Sequence, residues 1–343
     1  MNAAPSFKLL QGNLNHCSRA QDLLLQCLTE CSVSLAVVAE PYRVPDHPRW
    51  FGDNAHLVAV YWAGGETDPP CSRRHTGQGI VAVDWGPLAV IGCYISPNCS
   101  LVAYEAFLGR VGDCIRGCLP RPVLVLGDFN AHSRTWGSKS DNARGNAGES
   151  IVDLSWTTAS AERLVTGWRV AEEIVTLSDH RHITLDVTLQ LPVRNGRQGE
   201  SPARRWALKR LDRDMLVAAA HVVDWSGAAA EGATPDLEQR AARLRADMAA
   251  ICDAAMPRVR SGRRGPAYWW SDHIAQLRAA CLRFRRKFTR ARRRRTASAV
   301  ETEERYREYR NATVALQLAI AEGKSRSWSG LLDGLDRDPW GRP

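Results

Sequence analysis

The segment GDFNAHSRTWGS, residues 127–138, follows directly on the apolar run Val123 to Leu126. A buried strand ending in Gly-Asp-Phe-Asn sets a carboxylate and a carboxamide, Asp128 and Asn130, two residues apart and so on one face. An Asp in that place can bind Mg²⁺ or polarise a water, and an Asn can donate to a non-bridging phosphate oxygen without adding negative charge. The same residues are also ordinary turn formers, and on this fragment alone both readings stand. LQGNLNH supplies Asn13 and Asn15 after a first strand. VVAEPY supplies Glu40 at the end of an apolar run, where it is either a metal ligand or the first solvated loop residue. Tyr94, in CYISPN, is a half-buried aromatic unless its hydroxyl faces a charged site. SIVDLSW places Asp153 inside a strand, a costly position for a lone carboxylate, and SDHRHI sets Asp179 beside His180. Phosphodiester cleavage needs a positioned water, a cation on the anionic phosphate and a group that receives the leaving oxygen's charge. An Asp–His pair fixes which imidazole nitrogen faces a substrate. His132 and Trp136 either line a groove, Trp136 with a stacking face, or pack beneath the loop.

These residues need strands to hold them. Short apolar runs predict strands over Phe7 to Gln11, Val33 to Ala39, His56 to Trp62, Ile80 to Trp85, Leu88 to Ile95, Val123 to Leu126, Ile151 to Thr157 and His182 to Leu191. Helical spacing is seen in Gln21 to Cys31 and Val102 to Cys118. Many strands with few helices point to two packed sheets with helices outside, an α/β fold. A polar, Gly-containing linker at 192–202 closes a domain of residues 1–191. Beyond it, residues 203–343 turn helical. Thr234-Pro235 opens one helix, Ser271 a second and Ser298 with Glu301 a third. The last two are expected to form an antiparallel hairpin turning near Thr296.

The chain has 343 residues and a formal charge of +9, unevenly placed. Residues 1–191 hold 15 Lys and Arg against 19 Asp and Glu, whereas residues 257–295 hold 14 against the single Asp272. That block is too lopsided for ordinary pairing along a helix face and suits a polyanion, through Arg285, Arg286, Lys287, Arg290, Arg292, Arg293, Arg294 and Arg295. The run RRKFTRARRRR would equally serve nuclear import. No apolar run reaches the ~18 residues of a membrane span and no secretory leader is visible, so an intracellular, nuclear protein without a membrane partner is expected. The ten cysteines then read as reduced thiols. Cys27 with Cys31, and Cys114 with Cys118, have a zinc-like spacing but lack a second pair nearby, which favours plain thiols.

Taken in order, QGN, AEPY, YISP, GDFNAHS, SIVDLSW and SDH resemble the endonuclease/exonuclease/phosphatase superfamily, and within it the apurinic-type endonuclease domain of non-LTR retrotransposons, most like the arthropod R-one-like clade. The resemblance covers residues 7 to 191. It implies a four-layered α/β sandwich that nicks DNA with Mg²⁺ or Mn²⁺. Glu40, helped by Asn13, would hold the metal, with Asp179 beside it. Asp128 would orient or deprotonate the attacking water, Asn130 would hold the scissile phosphate, and Tyr94 would contact that phosphate or the leaving oxygen. His180 would stabilise charge on the phosphoryl oxygens, oriented by Asp153.

Relatives carry one further helix and about two strands between the GDFN and IVDLSW segments. Here only 22 residues separate Asn130 from Asp153. The domain is therefore expected to be internally shortened near 145–148, by on the order of 20–30 residues. That loss would threaten the convergence of Asp153 and His180 with Glu40 and Asp128, and with it activity. CDAAMPR, YWWSDHIAQLR and LLDGLDRDPWGRP resemble the spacer that in this family precedes a reverse transcriptase, a domain absent here, with element RNA as a further partner. Three functions follow as expectations: a metal-dependent DNA endonuclease, a nucleic-acid-binding fragment without catalysis, and a phosphatase acting on a small phosphoester.

Overall fold

A computed structural model describes residues 5–65, 68–131, 152–189, 206, 210–223, 237–257, 266–294, 296 and 298–337. Residues 1–192 and 263–343 form one compact unit, and residues 193–262 form a second. The division differs from the expected one in placing the last two helices in the unit of the α/β core. Apolar contacts explain it: Leu23 and Val175 from the α/β part share one buried cluster with Trp269, Ile274, Cys281, Leu316 and Ile320.

The α/β core contains two β-α-β units. β1 (Ser6–Asn13) leads through α1 (Ser18–Glu30) to the parallel β2 (Val33–Ala39), and β7 (Leu88–Tyr94) leads through α2 (Leu101–Cys118) to the parallel β8 (Val123–Asp128). A parallel pair requires such a crossover, and the helix covers the outer face of its sheet. β2 is buried along its whole length, as its unbroken apolar run VSLAVVA requires. β3 (Trp50–Gly52), β4 (Val58–Trp62), β10 (Val165–Val170) and β11 (Ile183–Thr188) complete a six-stranded sheet of order β10-β11-β1-β2-β4-β3. β5 (Cys71–Gly77), β6 (Ile80–Trp85) and β9 (Asp153–Thr157) complete a five-stranded sheet of order β5-β6-β7-β8-β9, and the one-turn helix α3 (Ala159–Glu162) follows β9. Leu9, Leu35, Val37 and Val60 of the first sheet meet Val81, Val83, Val90 and Leu126 of the second. α1 packs on the outside of the first sheet and α2 on the outside of the second. This is the expected four-layered α/β sandwich.

β3, β5 and β10 were not anticipated. β5 and β10 are edge strands whose residues are mostly exposed, so their sequences, CSRRHTG and VTGWRV, carry no alternating apolar signal. The strand expected from His56 begins only at Val58, because the Asp53 carboxylate accepts from the backbone N–H groups of Ala55, Leu57 and Val58 and fixes a turn there. The elements expected to be missing near 145–148 lie outside the described residues, as do His132, Trp136, Thr234 and the 192–202 linker. On either side of that segment β8 and β9 pair antiparallel, with Asp128 opposite Asp153.

In the second unit, α4 (Arg213–Val222) is capped by Asp212, whose side chain accepts from Met215 N, and the Trp206 indole donates to Asp253 on α5 (Leu237–Ala255). In the first, α6 (Asp272–Arg293) and α7 (Ala299–Arg337) form the expected antiparallel hairpin. Phe288 meets Tyr306 and Tyr309, and Cys281 meets Thr313. The hydroxyls of Ser271 and Ser298 cap the two helices, accepting from Ile274 N and Glu301 N.

Gly127 of β8 lies tight against the backbone of β7: a Cβ there would lie 2.0 Å from the Cys93 carbonyl oxygen. Gly127→Ala should therefore lower the free energy of unfolding by about 2–3 kcal/mol in urea titrations, since backbone rather than a side chain must yield. Gly109→Ala, on the open face of α2 with nothing within 4 Å, should cost nothing.

Candidate active site

Strands that run parallel end together, and the strands antiparallel to them begin at that end. Asn13 closes β1, Glu40 follows β2, Tyr94 closes β7 and Asp128 closes β8, while Asp153 opens β9 and Asp179 and His180 lie just before β11. The side chains meet there. The buried Asn13 carboxamide donates to Glu40 Oε2 at 2.9 Å and to Asp128 Oδ2 at 2.8 Å, and its oxygen accepts from Asn15 N at 2.7 Å. The Tyr94 hydroxyl donates to Glu40 Oε1 at 2.5 Å. His180 Nδ1 lies 2.7 Å from Asp153 Oδ2, and its Nε2 lies 3.9 Å from Asp128 Oδ2. Asn15 Nδ2 donates to Asp179 Oδ1 at 3.2 Å. Asn130 donates its backbone N–H to Asp128 Oδ1 and its amide to the Ile95 carbonyl. Asp153 and His180 thus stand together with Glu40 and Asp128 in one cluster.

The backbone is bent to make these contacts. Asn15, His16, Glu40 and Asn130 all have φ between +44° and +50°, a region that costs a side-chain-bearing residue on the order of 1 kcal/mol. Asp128 is 1% exposed. Burial, and then the charge of Asp153, push its carboxyl up to about 6, against the Asn130 N–H, His180 and Asn13. Burial pulls His180 down, but the hydrogen bond and charge of Asp153, with the charges of Asp128 and Asp179, carry it up to about 9. The imidazole is therefore protonated at neutral pH. The Tyr94 hydroxyl is pushed well above its usual range by burial and by Glu40.

Asp128, Asp153 and His180 offer ligand atoms all within 4.8 Å of one another, the one such group among the described residues. Asp128 and Asp153, with Glu40 and Asp179, present carboxylate oxygens, the hard donors that Mg²⁺ and Mn²⁺ prefer, and a crowding of negative charge that a cation relieves. The donor set fits such an ion. The Asn13 oxygen accepts from Asn15 N while its amide hydrogens bridge Glu40 and Asp128. Cys27 and Cys31 sit 3.8 Å apart as a pair of thiols.

Two participants escaped sequence reading. His16 lies with Nε2 3.6 Å from Glu40 Oε1, and its place inside LQGNLNH was the available signal. Gln11, 1% exposed, donates to the carbonyls of Gly127 and Leu154 and accepts from Ser155, and its place in the same LQGNLNH segment was the available signal. Of the basic residues expected to contact a polyanion, Arg286, Lys287, Arg290 and Arg293 are exposed on α6 and Arg294 is exposed at its C-terminal cap. Arg292 is exposed with its guanidinium 5.8 Å from the centre of the Phe288 ring. Arg285 instead turns inward and donates to the carbonyls of Glu172 and Ile174. Arg295 lies outside the described residues.

The site is thus an acid–histidine cluster at the shared strand ends of a two-sheet α/β sandwich. Residues 88–147, which include Tyr94, Asp128 and Asn130, match the family model described as endonuclease-reverse transcriptase, and the resemblance seen in the sequence is thereby borne out. Solved structures that align with the chain include the endonuclease domain of TRAS1, a telomere-specific non-LTR retrotransposon, at 24% identity over 54% of this chain and 99% of that one, with a TM-score of 0.45. The AP endonuclease LMAP from Leishmania major aligns at 9% identity over 54% and 88%, with a TM-score of 0.41. An endonuclease/exonuclease/phosphatase family protein from Leptotrichia buccalis aligns at 12% identity over 53% and 100%, with a TM-score of 0.37. No curated protein matches the chain.

Asp153 is what keeps His180 charged. In an NMR titration of the metal-free protein the His180 imidazole should titrate near 9, and Asp153→Asn should return it to 6.5 or below, because burial then acts with its main opponent gone. The raised value also has a sign for stability. The His180–Asp153 contribution is fully present below pH 6.5 and is lost as pH rises through about 9, a loss Asp153→Asn should abolish.

Proposed function

We propose that the chain is a divalent-metal-dependent phosphodiesterase that nicks DNA. The observation that carries this reading is the convergence of Asp128, His180 and Asp153 with the Asn13-bridged Glu40 at one end of the sandwich. Asp128, with a carboxyl raised to about 6, is a base strong enough to orient and deprotonate a water near neutral pH. The protonated His180 donates to a phosphoryl oxygen and stabilises charge as it develops there, while Asp153 holds the ring in orientation. Asn130 keeps one amide hydrogen beyond its bond to Ile95 O for the scissile phosphate. The Tyr94 hydroxyl, kept protonated by burial beside Glu40, contacts that phosphate or the leaving oxygen. Glu40 and Asp179 would hold Mg²⁺ or Mn²⁺, with Asn13 fixing the Glu40 carboxylate. When bound, the ion neutralises phosphate charge and activates the electrophile.

Supercoiled plasmid tests this. Nicking should require Mg²⁺ or Mn²⁺, stop with EDTA, and fall at least about 1000-fold in Asp128→Ala. Cleavage indifferent to EDTA or to that substitution would refute the reading.

DNA is the substrate class that the basic helix favours. Arg283, Arg286 or Lys287, Arg290 and Arg293 or Arg294 recur every three to four residues and are exposed along one side of α6. Phosphate contacts of this kind carry no sequence information and fade with salt. Replacing Arg286 and Arg290 together by Ala should weaken duplex binding alike across unrelated sequences. The slope of log K against log salt, followed by fluorescence anisotropy, should become shallower by about 2.

A further inference from the structure

Residues 171–182 link β10 to β11 and deliver Asp179 and His180 to the cluster. A connection of this length has many backbone groups to satisfy and little regular structure to satisfy them. Val175 and Leu177 fill the apolar cluster shared by α1 and the α6–α7 hairpin. On either side of Val175 the backbone is held by polar contacts. The Arg285 guanidinium, reaching from α6, donates to the carbonyls of Glu172 and Ile174, the latter at 3.0 Å. The hydroxyl of Thr176, a buried residue, lies 2.8 Å from the His180 carbonyl oxygen to which it donates. A continuous path therefore runs from Arg285 through Ile174 and Thr176 to His180. The fork of a guanidinium is rigid and planar, so two carbonyls bound to one fork cannot shift independently. Nor is this arginine placed by default: its neighbours Arg286 and Lys287 are exposed, and burying a cation without such acceptors would be costly.

We propose that Arg285 is a positioning residue for the Asp179–His180 segment, which makes the α6–α7 hairpin a working part of the cleavage site. The proposal rests on the phosphodiesterase reading for its kinetic consequence but not for its structural one. A displacement of about 1 Å at the reacting groups costs on the order of 100-fold in rate. In the full-length chain, Arg285→Ala should reduce kcat for nicking by about 10- to 100-fold while KM for DNA changes less than about threefold, and millimolar guanidinium ion should restore much of the loss. Arg285→Lys, a single point donor, should recover only part of it. Lys324→Ala, which removes the ion pair to Asp22 elsewhere on the hairpin, serves as the control for general destabilisation.

Hydrogen exchange is read in parallel. Amides of residues 173–182 should lose protection in Arg285→Ala, regain it with guanidinium and stay protected in Lys324→Ala. Unchanged exchange there, or equal losses of rate and protection in the two variants, would overturn the proposal. If the wild-type chain does not nick at all, the phosphodiesterase reading fails alone, and the exchange pattern still decides the role of Arg285.

Discussion

Both amide hydrogens of Asn13 are committed to carboxylates, one from each sheet: Glu40 from the six-stranded sheet and Asp128 from the five-stranded one. Two acids brought this close would repel one another in a site of low dielectric, and a neutral double donor is what lets them share it. β1 is suited to the task by its alternation. Its inward face reads Phe7 and Leu9 deep in the sandwich, then Gln11 and Asn13 toward the open end. The apolar pair joins the sheets by burial, each side chain contributing about 1.5–3 kcal/mol. The polar pair continues the same contact by hydrogen bonds, Gln11 to the carbonyls of Gly127 and Leu154 and Asn13 to the acids. A shift of one sheet over the other would break both at once, so the packing that stabilises the fold also sets the distance between Glu40 and Asp128.

That coupling leaves the length of the connection between β8 and β9 free. Asp153 is placed by its antiparallel register opposite Asp128, and the register is fixed by five consecutive pairs from Leu124–Thr157 to Asp128–Asp153. What lies between the two strands can be long or short so long as they pair, because a longer loop costs closure entropy only logarithmically. The result is a small volume holding acids from four strand ends and one imidazolium. The fold tolerates the charge through named donors and through the raised values of Asp128 and His180. A site strained in its backbone and uneven in its charge stores what phosphate chemistry uses.

Much of this was legible in the chain. The buried strands β2, β7 and β8 announce themselves as apolar runs, and the Glu, Tyr or Asp at the end of each lies at the same edge of the sandwich. Less legible was whatever depends on partners distant in sequence. The edge strands β5 and β10 are held by hydrogen bonds to a neighbour rather than by burial of their own side chains. Gln11 looks like any polar residue at a strand end until the second sheet is laid over it. The orientation of the Asn13 side chain is likewise set by Asn15 N, two residues away, together with acids from two other strand ends.

The basic segment shows the same limit at its sharpest. Composition treats its arginines as one polycation, but a helix turns 100° per residue and so divides them. Arg285 falls on the side that meets the 171–182 connection, and Arg286, one step around, faces solvent. Two roles with opposite physics are thereby written into adjacent letters. An exposed arginine keeps its hydration and acts at long range through counterion release. A half-buried one gives up hydration and acts only on the atoms that accept its hydrogens, which here are backbone carbonyls a few residues before His180. The charge block of α6 is thus one surface for a polyanion and one fixed bracket for the site, and the apolar stripe of Ile274, Cys281 and Ala291 decides which arginine serves which.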